Sequence, residues 1–424
     1  MTGIIKPTRV PEVNLLAMKI KRFATVRHWC LIGLFNLLLV AILRTFMRLE
    51  HVSPFLGQRS TNVLHAHSHF AFLGWVSGML MLLITCVNFR LKAKDYLPMH
   101  RHRVLVVHLL VSYASLLSFL ASGYSVISIV LSALSVLISY WYVYLSWTDL
   151  RRGNLHATVK RWFVASFVCL VLSSFGTFYL ARLMSSGMEQ LQAQRAAIEF
   201  YLHFQYNGWF FFTLMGLLAD FLHTKRVQVN LSKLLFIVML LAVFPTYLLS
   251  ISWIPMHPVF RYLAGFAALT QLVCTMAYAW QIQKQSSGLL RCIAPHFRII
   301  WRVIGGALFV KLTLQMLSAI PSFSHLAFGF RPVTIAYLHL VLLVIVSGFR
   351  LLYLFQSNYL FASREANQYL SIFFLGSCRQ RNGAHDSDRA QRNRFRLDEC
   401  AWGTGVGIPY NGFWIGRYVV YAAS

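Results

Sequence analysis

Charge is scarce in this chain: Asp, Glu, Lys and Arg make up 12% of its 424 residues, about half the share of a soluble domain. Acidic residues are scarcer still, 12 against 39 Lys and Arg. That balance leaves too little polar surface to clothe a water-soluble fold. Paired cysteine spacing is also missing, which excludes a disulfide framework. Cys86, Cys169 and Cys274 lie inside apolar runs and read as buried thiols. No cleavable signal peptide is evident, because the first 27 residues are basic and the first apolar run is long enough to stay in a membrane. There is no internal repeat. Nor does the formal charge of +27 point to nucleic acid, since the basic residues sit in short loops between apolar runs, where membrane topology signals belong.

What the chain does have is apolar length. Residues of the set AVILMFWYC make up 58% of it, in runs that each suffice for a helix of about 20 residues across ~30 Å of hydrocarbon. Ten spans are expected, at about 29–48, 63–88, 104–122, 126–147, 162–183, 198–222, 232–253, 259–281, 297–319 and 333–355. The fold class is therefore an all-α polytopic membrane bundle, with a basic segment before residue 29 and a tail over 356–424. After about residue 375 the tail turns polar and Arg-rich, then Gly- and aromatic-rich without pattern. It reads as a disordered cytoplasmic tail or as a truncated or frame-shifted remnant.

Lys and Arg alternate from loop to loop. Lys6 to Arg27, Arg90 to Arg103, Arg151 to Arg161, Lys225 to Lys233, Lys284 to Arg298, and Arg350 with Arg364 mark one side; the opposite loops hold few. The rich side is expected to be cytoplasmic, in a bacterial-type inner membrane, with the N-terminus inside.

Ionisable residues inside spans are costly and mark function. Histidines enter from the outer side in span two (His65, His67, His69), span six (His203) and span ten (His339); His257 ends span seven and His325 lies in an outer loop. Convergence on one leaflet is what a haem or metal site shared between helices needs, and imidazole is the common neutral ligand for iron, copper and zinc. His65 and His69 share a helix face; His67 points the other way. Lys311 and Gln315, also four apart, lie deep in span nine. Lys311 needs a partner: a haem propionate, a carboxylate such as Glu199, or snorkelling to the interface. Asp149 and Asp220 end spans four and six, placed to cap or to pair with nearby basic residues.

Histidines in spans two, six, seven and ten, all near the outer face, resemble the catalytic subunit of the haem-copper oxidase superfamily, whose core has up to twelve helices. Asn62-Val63 followed by Ala66-His67 resembles its second helix, His203 before a Gly-aromatic-aromatic run its sixth, His257 the end of its seventh, and His339 the second His of its tenth. The resemblance implies a low-spin haem on His67 and His339, with His65 or His69 in place of His67 if the helix is rotated. It also implies a copper or other metal near His203 and His257, lipid contact, and an electron-donor subunit or cytochrome. Tyr337 stands where the family has a haem-ligating His, Pro258 where it has a second adjacent His, and Tyr206 one residue short of the family's sixth-helix Tyr. The His-Ala-His of span two also resembles the NnrS family of haem- and copper-containing membrane proteins. Three functions follow as expectations: reduction of oxygen or nitric oxide, haem binding without turnover, or a transporter or scaffold with interfacial histidines.

Overall fold

A computed structural model describes residues 24–52, 57–186, 190–227, 232–285, 295–324 and 331–360. The tail and His325 lie outside the described residues.

With no water in hydrocarbon, each backbone N–H and C=O must find a partner within its own segment, and a helix achieves that. Among the described residues the helices fall into ten rods. They are α1 (Val26–Val52), α2 (Ser60–Asn88), α3 (Met99–Ser122), α4 (Val126–Arg152) and α5 (Ala157–Ser185). Then α6 runs through Leu191–His203, Phe204–Phe210 and Phe211–Thr224. After it come α7 (Lys233–Ser250), α8 (Pro258–Gln285) and α9 (Pro295–Leu317). Last, α10 runs through Arg331–His339, Leu340–Ser347 and Gly348–Gln356. Among the described residues nine helices are long and apolar enough to cross a membrane. The missing one is α6, which carries His203, Gln205, Asn207 and Asp220 along its buried length. The protein is thus an all-helical polytopic membrane bundle.

Helix starts follow local chemistry. The Ser125 hydroxyl accepts from the Ser128 N–H at the head of α4, and the His156 ring accepts from the Thr158 N–H at the head of α5. Gly123 turns α3 into α4 with φ +60°, a conformation that favours glycine. Sequence neighbours pack on each other, most closely α7 on α8, α5 on α6 and α2 on α3.

Burial sorts the rods. The apolar windows of α1 and α4 are only 17% and 22% buried, whereas those of α2 and α10 are 78% and 67% buried. Within α6 every residue from Phe204 to Phe210 is buried. So α2, α6 and α10 form the centre. All three widen into a π-helix partway along, at Ala71–Ser77, Phe204–Phe210 and Leu340–Ser347. Each π-segment begins within four residues of a histidine: His67 and His69, His203, and His339. Such bulges gather at functional sites.

The π-turn of α2 is held by other spans. Its wider winding loosens the backbone ladder, and four consecutive carbonyls accept side-chain donors. His108 Nε2 reaches Leu73 O (3.0 Å), Asn36 Nδ2 reaches Gly74 O (2.6 Å), and Arg350 Nη1 reaches both Trp75 O and Val76 O (3.0 Å each). Arg350 is therefore no loop cation, as its place in the charge alternation suggested. It is fully buried between α2 and α10. Gly74, below His67, admits the Phe70 ring of its own helix beside the Asn36 contact.

Both acidic helix ends pair with arginine: Arg90 with Asp220 (2.5 Å) and Arg101 with Asp149. Glycines set the α5–α6 approach. A Cβ on Gly176 would lie 2.6 Å from Ala197 O and 2.9 Å from Tyr201 N. Backbone cannot yield as a side chain does, so Gly176→Ala should lower unfolding stability by about 1–3 kcal/mol. Gly306 has nothing within 4 Å of its Cβ position, and Gly306→Ala should be neutral or stabilising. Denaturant titration in detergent of the two variants side by side checks both; equal stability would contradict the α5–α6 packing.

Candidate functional site

The C-terminal half of α1 and the N-terminal parts of α2 and α10 meet around two histidines. His67 points toward α1, where its Nδ1 lies 3.1 Å from Val40 O. His339 turns its Nδ1 to Ile335 O of its own helix, at 2.7 Å. A carbonyl only accepts, so in both rings the proton sits on Nδ1. Each Nε2 is left with a lone pair and no hydrogen-bond partner among the described residues. The two rings lie within electrostatic range of each other, and Arg44 lies within range of both. Arg48 adds a second positive charge near His339. Asn36, Val40, Arg44 and Arg48 recur every four residues on α1, so one stripe of that helix supplies the Gly74 bond, the His67 carbonyl and both cations.

His65 and His69 face the other way, as their spacing predicts. Both look onto α3 and the turn after it: His65 packs edge-on to Tyr124 (4.5 Å between centroids), and His69 stacks on Phe119 (4.1 Å). The rotation that sequence leaves open is thereby settled: of the three, His67 is the one turned toward α1 and α10.

The residues expected near a second metal do not gather. His203 is fully buried, and its ring is engaged on both sides. Nε2 donates to Val243 O (2.9 Å), one turn before His203's neighbour Tyr247 and beside Pro245, whose ring interrupts the α7 ladder. Nδ1 faces Asn207 Nδ2 (3.0 Å) and Ser250 Oγ (3.4 Å). His257 is exposed at the head of α8, where its Nδ1 accepts from the Val259 N–H at 3.4 Å. No contact joins the two rings. Tyr337 and Tyr206 do meet, edge to face at 6.4 Å. Glu199 lies within electrostatic range of both phenols. Among the described residues no group of three or more His, Cys, Asp or Glu could hold a metal ion.

Lys311 neither snorkels nor pairs with Glu199. It is 5% exposed, and its ammonium donates to Asn207 Oδ1 (2.5 Å) and Gln315 Oε1 (2.6 Å). Gln315 Nε2 continues to Gln271 Oε1 at 3.0 Å. His203, Asn207, Lys311, Gln315 and Gln271 thus form a buried polar seam across α6, α9 and α8. Amide oxygens disperse the ammonium charge, which removes the need for a carboxylate.

Sequence reasoning missed the α1 stripe, Tyr124 and the seam. The signal was present for the first, since Asn36 and Arg44 interrupt an apolar run at helical spacing. The chain matches no known family model and no curated protein.

Proposed function

We propose that the protein is a haem-binding integral membrane protein whose low-spin haem is held near the outer face by His67 of α2 and His339 of α10. The observation that carries this reading is the ring chemistry. Two neutral imidazoles on the two most buried apolar spans each commit Nδ1–H to a backbone carbonyl and keep the Nε2 lone pair. Haem-ligating and metal-ligating histidines are held in that way, the outer nitrogen fixing tautomer and orientation. The donor set fits haem in charge as well: Arg44 and Arg48 lie where propionates need cations. When bound, such a haem supplies one-electron transfer. The residues of the chain bind it, orient it and balance its charge.

Within this reading the electron-carrier or sensor role is favoured over reduction of oxygen or nitric oxide. The reductive role needs a second centre, and the His203 ring already has both nitrogens engaged while His257 stands exposed. The reading therefore takes only the low-spin site from the resemblance to haem-copper oxidases and leaves out the distal one. A haem near the outer face implies an electron-donor protein on that side.

Purified protein should show a sharp low-spin absorption band on reduction. Replacing His67 or His339 by Ala should abolish it, and replacing His65 should leave it in place. Protein without haem, or an unchanged band in the His339 variant, defeats the assignment.

The orientation belongs to the same proposal: the N-terminus and the loops at Lys94, Arg152 and Arg226 face the cytoplasm of a bacterial-type inner membrane. Single cysteines placed beside Arg59 and His257 should label with a membrane-impermeant reagent from outside intact cells. Labelling only after lysis would reverse the topology.

A further inference from the structure

His65 and His69 are the histidines the haem reading leaves over. His65 is 5% exposed, and its Nδ1 is buried with no hydrogen-bond partner. A buried polar nitrogen in that state costs about 1–3 kcal/mol, so its persistence asks for a ligand. The turn after α3 supplies a third donor beside the pair. Gly123, at φ +60° and seated against Asn62, folds Tyr124 back over this face of α2. There the Tyr124 hydroxyl lies 3.0 Å from His69 Nε2, and its ring meets His65 edge-on at 4.5 Å. Phe119 closes the side toward α3, stacked on His69 and 6.5 Å from His65. Tyr124 is 41% exposed, so the group is open on the side of this turn.

Two histidines four apart on one helix face have Cβ atoms about 6 Å apart, the spacing that lets both rings reach one ion. The donors are two imidazole nitrogens and a phenol oxygen, with water able to fill a fourth place from outside. No carboxylate contributes, which disfavours calcium and magnesium and favours nitrogen-seeking ions of the late first row.

We propose that His65, His69 and Tyr124 form a binding site for one divalent transition-metal ion of the zinc or copper class at the outer end of α2. The site is separate from the haem reading, because its donors occupy the face of α2 opposite His67. Metal entry replaces the His69–Tyr124 hydrogen bond with coordination by both groups, and His65 Nδ1 gains the partner it lacks among the described residues.

The test uses full-length protein purified with an affinity tag free of histidine and stripped with a chelator, then titrated with Zn²⁺ and with Cu²⁺. Wild type should take up one ion per chain at micromolar concentration. The variant carrying His65→Gln and His69→Gln should lose that ion, Tyr124→Phe should bind about tenfold more weakly, and His257→Gln, at an exposed position apart from this group, should bind as wild type does. Electron paramagnetic resonance of the Cu²⁺-loaded wild type should show coupling to two imidazole nitrogens, a readout that stands even if the double variant does not fold. No uptake by wild type, equal uptake by a folded double variant, or copper coupled to fewer than two imidazoles would each overturn the site. A haemless protein that still binds the ion would sink the haem reading and leave this one standing.

Discussion

Asp149→Ala should lower the stability of the bundle by about 3–5 kcal/mol, whereas Asp220→Ala should cost about 1 kcal/mol. Both aspartates pair with arginine at helix ends, and burial separates them. The Arg101 side chain is 1% exposed and Asp149 18%. Arg101 Nε donates to Asp149 Oδ2 at 2.8 Å, Nη2 donates to the same oxygen, and Nη1 donates to Ser146 Oγ at 2.9 Å. The guanidinium also lies 5.1 Å from the Tyr142 ring centroid. Without Asp149 that charge has no route to water, and its desolvation penalty falls wholly on the folded state. Arg90 is 52% exposed and can turn to solvent when Asp220 is gone. Replacing Arg101 and Asp149 together by Met and Leu should recover most of the loss, because removing a buried pair removes its desolvation cost too. Denaturant unfolding in detergent of the three variants checks this. An Asp149 variant no less stable than the Asp220 variant would show that Arg101 is hydrated in the folded protein.

The helical class and the place of the histidines near one end of their helices were legible because both depend on where along the chain a residue lies. Apolar runs mark spans, and a residue's distance from the end of its run marks its depth. The opposition of His65 and His69 to His67 was legible for a similar reason, since all three precede the π-turn and keep ordinary α-helical spacing. Rotation of one helix against another was not legible. Each π-segment winds more residues into a turn and swings everything below it round the axis, so Trp75, Ser347 and Arg350 face one another in a register that a period of 3.6 does not give. Arg350 misled for that reason: eleven residues below His339, it counts from sequence as an inner-loop cation, yet the turn carries it into the bundle. Lys311 misled differently. Its partner Asn207, and Gln271 beyond its partner Gln315, lie on other spans, and amides carry no charge signal to search for.

Arg350→Leu should cost about 3–5 kcal/mol and disturb the site above it. The guanidinium is fully buried and has no acidic partner among the described residues. Instead it makes four hydrogen bonds: Nε to Val346 O (3.0 Å), Nη1 to Trp75 O and Val76 O (3.0 Å each), and Nη2 to Ser347 Oγ (3.1 Å). It also lies 4.2 Å from the Trp75 ring centroid, and Trp75 Nε1 donates to Ser347 Oγ at 2.8 Å. Leucine fills part of the volume and leaves the Trp75 and Val76 carbonyls of the π-turn without donors in an apolar interior. Arg350→Lys keeps the charge but offers a point donor where a planar fork spans two carbonyls of α2 and a hydroxyl of α10, so it should recover less than half the loss. This clamp ties α2 to α10 roughly 12 Å below His67, at 1.5 Å per residue over eight residues. The proposed haem between His67 and His339 would depend on the spacing of those two helices, so both variants should broaden and weaken its low-spin band in parallel with their loss of stability. A lysine variant as stable as wild type would mean that charge, and not the fork, holds the π-turn. A leucine variant that unfolds earlier but keeps an unchanged band would mean that the outer ends of α2 and α10 are positioned independently of the clamp.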